Sequence, residues 1–300
     1  MAHWTDRLAC RGVMRHAESM ARHCTWRAGG AADVLFEPED RADLLTFLPA
    51  IPPDVPVAWI GLGSNVLVRD AGFQGVIILT GRALGGIAHV DGRISVEAGV
   101  PCPKVARYAA AEGYAGAEFL VGIPGTIGGA LAMNAGAFGS EIWQWVHEVE
   151  TVDRAGRTRR RTADMYDVGY RTVVGPAGEW FFGCQLAFAP AADYDPLVRG
   201  REFLAERASS QPTGAASCGS VFRNPPGDYA GRLVEAAGLK GFRIGGCHVS
   251  EKHANFIIND RGANATDIET LIDTVRQEVM RRFGVALEPE VRILGTGGAR

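Results

Sequence analysis

The chain has 300 residues, 47% of them hydrophobic and 22% charged, with a formal net charge of -3. That supplies apolar material for the cores of two or three domains, and it lacks the basic excess that marks a nucleic-acid binder. Only Lys104, Lys240 and Lys252 are lysines, so a cationic site is expected to use arginine, whose planar fork grips carboxylate or phosphate at two points.

The amino-terminal MAHWTDRLACRGVMRH has no apolar core long enough for a secretory signal. No lipidation motif appears at either end. Residues 1–25 read as an irregular or helical lead-in. The six cysteines (Cys10, Cys24, Cys102, Cys184, Cys218, Cys247) are scattered without a C-x-x-C, so they are expected to be reduced thiols. His248 and His253 have no ligand spacing, and no metal site is expected.

Thr25 to Asp33 runs into a strand at Val34–Phe36. Pro38, Glu39 and Asp40 start a short helix whose apolar face is Leu44, Leu45, Phe47 and Leu48. Val57–Ile60 reads as a buried strand, ending in Gly61-Leu62-Gly63-Ser64-Asn65 before a second strand at Val66–Val68. The dinucleotide fingerprint would need glycine at 66 and a helix after it. A phosphate-binding P-loop would need a lysine after its glycine. Both fail. What remains is a strand–turn–strand nest whose N–H groups and Asn65 amide suit a pyrophosphate, or else a plain tight turn.

Short strands follow at Val76–Leu79, His89–Val90, Arg93–Glu97 and Ala98–Val100, then a helix from Lys104 to Glu112 with Pro103 in its first turn. Phe119 to Ser140 is an uncharged run of 22 residues with six glycines: Gly122, Gly125, Gly128, Gly129, Gly136 and Gly139. So much backbone entropy is spent only where the chain turns sharply or approaches something closely. With Thr126 and Asn134 as polar points, a phosphate held by backbone N–H groups is one occupant. A packed turn and helix without ligand is the alternative. A membrane helix, suggested by the Gly125/Gly129 spacing, is broken by Pro124 and Asn134. Two glycine-rich turns poor in positive charge suit one long dinucleotide.

Val146–Asp153, the turn at Arg154–Gly156 and Arg157–Thr162 read as a hairpin, with Arg159-Arg160-Arg161 on a solvated edge strand. A strand at Trp180–Phe188 precedes a linker, Ala189–Pro196, and a helix, Leu197–Ala208. After the block Ser217 to Pro225, Asp228 is placed to cap a helix ending near Gly238. Phe256–Asn259 is a strand. Thr266 and Glu269 form a capping box for a helix from Asp267 to Phe283, with a stripe of Ile268, Leu271, Ile272, Val275, Val279 and Phe283 and a stop at Gly284. A strand at Val291–Leu294 closes an α+β carboxy-terminal domain.

Seven blocks in order (Thr25–Asp33, Gly61–Asp70, Glu118–Gly139, Gly169-Tyr170-Arg171, Gly219–Pro225, Val249–Asn259 and Glu288–Gly295) resemble the UDP-N-acetylenolpyruvoylglucosamine reductases of peptidoglycan precursor synthesis. The resemblance implies a vanillyl-alcohol-oxidase/PCMH-like two-part FAD-binding domain (1–80 and 81–195) followed by a smaller α+β substrate-binding domain (196–300), whose last strand returns to the flavin site. It implies non-covalent FAD, NADPH as co-substrate, a UDP-sugar enolpyruvate as substrate, a cytoplasmic monomer, and no nucleic-acid or membrane partner. On one turn Gly61, Gly63, Ser64 and Asn65 would contact the cofactor. On the other Gly122, Ile123, Pro124, Gly125, Thr126, Gly128, Gly129 and Ala130 would do so.

Ser220 would be the proton donor, with Arg171 and Glu290 acting on the enolpyruvyl carboxylate and its charge build-up; Tyr170, Arg223 and Asn224 would contact substrate. Only 49 positions separate Arg171 from Ser220, which resembles the family's shorter form, without its substrate-gating insertion. Thr172-Val173 stands where serine is common, Arg223 where lysine is, and Phe138 where tyrosine is. Other readings are another non-covalent FAD oxidoreductase of this fold, or a nucleotide-binding module without turnover. A serine hydrolase is disfavoured, since no G-x-S-x-G surrounds any serine.

Overall fold

The structure, a computed structural model, describes residues 4–5, 10–192 and 194–296. Residues 1–3 and 6–9 of the lead-in and Asp193 of the linker lie outside the described residues. The chain forms two compact units, neither continuous in sequence. One takes in Leu35–Leu62 and Val76–Glu206 with the described residues up to Arg15; the other takes in His16–Val34, Gly63–Gly75 and the chain from Arg207. The carboxy-terminal segment thus shares its unit with two earlier stretches.

In the first unit five antiparallel strands lie in the order Thr158–Thr162, Val146–Asp153, Glu179–Leu186, Arg93–Glu97, Ile87–Val90. Ile94, Val96, Val149, Cys184 and Leu186 from this sheet pack with Val105 and Ala109 of the helix Cys102–Ala111 and with Ile127 and Leu131 of the helix Ile127–Ala132. Pro103 sits in the first helical turn, as expected, although the helix starts at Cys102. Val57–Ile60 pairs in parallel with Val76–Leu79. Asp40 caps the helix Arg41–Phe47 by accepting from the Asp43 N–H.

Four expectations in this region need correction. Ala98–Val100 is a turn and not a strand, closed by the Val100 N–H donating to the Glu97 carbonyl. The described lead-in contains a strand, Val13–Ser19, which lies at a sheet edge and is only partly buried, so its sequence carries no apolar alternation. Ala189–Pro190 of the supposed linker pairs with Tyr114–Ala115. The arginine-rich arm is an edge strand, but of Arg159, Arg160 and Arg161 only Arg160 is mostly solvated. Arg159 is 2.9 Å from Asp153 and Arg161 meets Glu179, because alternate side chains of a strand share a face.

Asp153 accepts from the Ala155 and Arg157 N–H groups and from the Arg157 and Arg159 guanidinium groups. Burial works against its charge, but these donors outweigh it and hold the carboxyl down at about 2 instead of 3.8. Ionised Asp153 therefore favours the folded state. That contribution is complete above the ordinary carboxylate range and disappears as pH falls through about 2. Asp153→Asn is expected to lose on the order of 2 kcal/mol at neutral pH and to show a shallower fall in stability between pH 5 and 2, measured by urea unfolding across that range.

In the second unit the helix Ala265–Phe283 lays Ile268, Leu271, Ile272, Val275 and Val279 against Leu233 and Val234 of the helix Ala230–Ala236 and against the strands Cys247–Val249 and Ile257–Asn259. Phe283, the last residue of the expected stripe, is exposed. The capping box lies two residues earlier than expected, on Asn264 and Asp267. Thr266 and Glu269 are engaged elsewhere: the Thr266 N–H and hydroxyl donate to Asp70, and Glu269 pairs with Arg69 at 2.8 Å. Gly284 ends the helix in the left-handed conformation, φ 69°. Arg292–Leu294 runs parallel to Val66–Val68. Among the described residues no helix is long and apolar enough to cross a membrane. The uncharged run is divided into the turns Glu118–Gly122, the helix Ile127–Ala132 and a hairpin at Gly136–Ala137 and Ser140–Glu141.

Candidate active site

In the first unit the strand Val57–Ile60 ends against the second glycine turn. A Cβ added at Gly61 would stand 2.2 Å from the Thr126 hydroxyl oxygen, so only a bare backbone fits there. Thr126 is held by a bridge to Pro101 and is almost fully buried. The N–H groups of Ile127 and Gly128 donate to Val100 and Ala98 at 2.9 and 2.8 Å. These two donors, which the expected nest would have offered to an anion, are therefore used within the fold. Gly122 is glycine because Phe138 lies against it: a Cβ there would meet that ring at 2.6 Å. Gly129 differs from these. It is exposed, and a Cβ there would meet only the Thr126 hydroxyl, at 3.8 Å. The side chains of Ile123 and Ala130 are buried, which leaves main-chain atoms as their means of contact. An uncharged backbone surface with exposed Pro124 and Gly129 fits the close approach of a dinucleotide.

Arg171 lies in the same unit, at the tip of a hairpin whose strands are Asp167–Gly169 and Thr172–Val174. Its φ is +56°, a conformation that costs a bulky residue strain and is kept where the surroundings over-determine it. Its Nη1 and Nη2 donate to the carbonyls of Asn134 and Gly136 at 3.2 and 3.0 Å, and Tyr170 stacks on the guanidinium at 5.0 Å. Glu141 stands 3.7 Å from Nη1. Asn134, expected as a polar point for phosphate, has its side chain engaged here instead. Its amide donates to Glu141 and to the Gly169 carbonyl.

The second unit contains Ser220 and Glu290. Ser220 follows Gly219, whose φ of +78° turns the chain at that point. Beyond it, Val221 accepts from the Glu290 N–H at 2.8 Å and donates to Asn255, while Phe222 bridges to Pro289. The Asn255 side chain both accepts from and donates to the Phe222 backbone, at 2.9 and 2.8 Å. Ser220 is thereby fixed on a rigid segment alongside Glu290. Asn65, expected to hold a pyrophosphate, donates its amide to the Glu290 carbonyl at 3.1 Å, and its own carbonyl accepts from Arg292. Gly63, φ +63°, leaves no room for a Cβ, which would sit 1.8 Å from the His23 carbonyl oxygen.

Asn224 accepts from the Ala230 N–H and so caps the helix Ala230–Ala236. Asp228, the expected cap, pairs with Arg232 instead. Arg223 reaches Glu288 at 3.7 Å. All six cysteines are free. Burial raises the Cys24, Cys102 and Cys247 thiols to about 12, and burial followed by the charge of Glu290 raises Cys218. They stay protonated and unreactive. Asn255 had no role assigned from its motif; the available signal was a short amide side chain within an otherwise apolar or turn-forming block.

Two family profiles match this chain: an FAD binding domain over residues 32–162, and the carboxy-terminal domain of UDP-N-acetylenolpyruvoylglucosamine reductase over residues 211–294. The chain is 55% identical over 284 residues to the UDP-N-acetylenolpyruvoylglucosamine reductase of Alkalilimnicola ehrlichii, covering 95% of each. It is 52% identical over 290 residues to that of Methylococcus capsulatus, covering 96% of this chain and 95% of the relative. Among solved structures, the UDP-N-acetylenolpyruvylglucosamine reductase of Thermus caldophilus superposes with a TM-score of 0.79 at 31% identity, over 95% of this chain and 99% of that one. The α+β class and flavin-binding scaffold expected from the sequence are those of these matches. With a flavin-binding domain, the reductase's own carboxy-terminal domain, and identity above one half along nearly its whole length, the chain belongs to the UDP-N-acetylenolpyruvoylglucosamine reductase family.

Proposed function

We propose that this protein reduces the enolpyruvyl ether of UDP-N-acetylglucosamine enolpyruvate to UDP-N-acetylmuramate, using NADPH and non-covalently bound FAD. The observation that carries the residue assignment is the Glu290 N–H to Val221 carbonyl bond, which locks Ser220 beside Glu290. Bound FAD would supply the hydride chemistry, with NADPH as the reductant. The bare backbone at Gly61, Thr126 and Gly129 would hold its pyrophosphate.

Hydride addition leaves negative charge on the substrate carbon next to the carboxylate. A neutral serine hydroxyl is too weak an acid for ordinary protonation, yet it suffices for so basic a carbon. Ser220 donates that proton. Arg171, permanently charged, holds the substrate carboxylate and stabilises the electron-rich intermediate. Glu290 orients the substrate or passes a proton to Ser220. Tyr170 and Arg223 contact the sugar nucleotide, as does the remaining capacity of Asn224. NADPH and nucleotide sugars as substrates imply a cytoplasmic site of action, and we propose a monomer.

The purified protein is expected to be yellow, to bleach on addition of NADPH, and to regain its colour on addition of one equivalent of the enolpyruvyl sugar nucleotide. Acid precipitation should leave the flavin in solution. Failure to bleach, or bleached protein that ignores the sugar nucleotide, would overturn the proposal. Gel filtration at working concentration tests the monomer.

A further inference from the structure

We infer that Asn134 is a positioning residue for Arg171, acting through a clamp that it shares with Glu141; the inference rests on the role proposed above for Arg171. Both polar atoms of the Asn134 side chain are hydrogen-bonded. Its side chain is buried, 3% exposed. The amide nitrogen donates to Glu141 Oε2 at 2.7 Å and to the Gly169 carbonyl at 3.1 Å. The amide oxygen accepts from the Trp143 N–H at 3.3 Å. Both donor hydrogens are thereby used.

Both bonds that the amide nitrogen donates lead to Arg171. Gly169 is the last residue of the hairpin strand before Tyr170 and Arg171, so the bond to its carbonyl fixes the base of the turn. The main-chain carbonyl of Asn134 itself accepts from Arg171 Nη1, and that of Gly136, two residues on, accepts from Nη2. Glu141, held by the Asn134 amide, stands 3.7 Å from Nη1. One residue thus anchors the guanidinium from three directions: through its own carbonyl, through the turn that carries Arg171, and through the nearby carboxylate.

The backbone supports the same conclusion. Asn134 has φ +45°, a conformation that asparagine tolerates better than other non-glycine residues. It allows the main-chain carbonyl and the side-chain amide to serve the same arginine. Aspartate is the same shape but lacks both donors, and it would place a second carboxylate at the 2.7 Å contact with Glu141. Asn134→Asp therefore removes the clamp with little change in volume. Arg171 would keep its charge and its two main-chain acceptors but lose the support of its turn and of Glu141.

The test separates the two half-reactions in holoenzyme by stopped flow. Asn134→Asp should reduce its flavin with NADPH at the unaltered rate, while reoxidation by the enolpyruvyl sugar nucleotide slows by ~10²-fold, the loss that a small misplacement of a reacting group brings. Added to Arg171→Ala, the same substitution should cost nothing more, since there is then no guanidinium to hold. Glu141→Gln keeps its shape and should slow the same half-reaction by less; it also decides the matter if Asn134→Asp is insoluble.

If Arg171→Ala reoxidises at the unaltered rate, the role of Arg171 is wrong and the clamp has nothing to position. If Arg171→Ala is slow but Asn134→Asp, or Glu141→Gln in its place, is unaffected, the clamp alone is overturned. Equal slowing of both half-reactions, or losses that multiply in the double variant, would make Asn134 a structural residue and also overturn it.

Discussion

Ser220→Ala is expected to bleach with NADPH at the unaltered rate and then to stay bleached when the enolpyruvyl sugar nucleotide is added. The first half-reaction needs no proton from a side chain of the second unit. The second needs one at a carbon that no other proposed group is placed to protonate. Positioned acid catalysis contributes about 10²–10⁴ in rate, so reoxidation should fall by that factor. The segment should hold its shape, because its fixed points are the Val221 and Phe222 backbone bonds to Glu290 and Asn255, none of which uses the serine hydroxyl. Paired rapid-mixing measurements of bleaching and recolouring check this. Loss of both half-reactions together would show that Ser220 acts on cofactor binding instead.

Two glycines of the cradle should fail in different ways, and the contrast locates the cofactor. Gly61→Val drives a branched side chain into Thr126, whose hydroxyl already lies 2.2 Å from where a Cβ would be. Thr126 is buried and tied to Pro101, so it has nowhere to move. The variant should be colourless, and its apoprotein should unfold more easily by about 1–3 kcal/mol, the range for overpacking. Gly129→Leu meets no such wall, since the nearest atom to a Cβ there is 3.8 Å away. Leucine also favours a helix over glycine by roughly 0.5–1 kcal/mol. Its apoprotein should therefore melt no lower than the unaltered apoprotein, yet purify without flavin. Melting curves of the apoproteins, with flavin absorbance on purification, separate the two. A yellow Gly129→Leu protein would remove the pyrophosphate from this surface.

Periodicity and punctuation made much of the fold legible in advance. The strands at Val57–Ile60 and Val66–Val68 and the stop at Gly284 lie where their local chemistry placed them. Each depends on neighbours a few residues away. The misplacements share a different origin. Asp70 and Arg69 meet the helix Ala265–Phe283 from almost two hundred positions earlier, and they take up the two side chains that local rules assigned to a capping box. Asn224 caps a helix that Asp228 was nearer to capping. The lead-in strand is hidden by its position at a sheet edge, where burial does not impose alternation.

For the site, the sequence by itself determined which chemistry-bearing residues exist and in what order: a serine within Gly-Ser-Val-Phe-Arg-Asn-Pro, an arginine after Gly-Tyr, a glutamate beside proline, and two glycine-rich turns. Motif order survives because side-chain identity is a covalent fact. Only the tertiary structure decided what each polar group does. It assigned the N–H groups of Ile127 and Gly128 to protein carbonyls, the Asn65 amide to Glu290, and the Asn134 amide to the hairpin carrying Arg171. The reason is that a hydrogen bond is set by distance and direction between groups far apart in the chain, and a buried donor takes whichever acceptor the packing brings within reach.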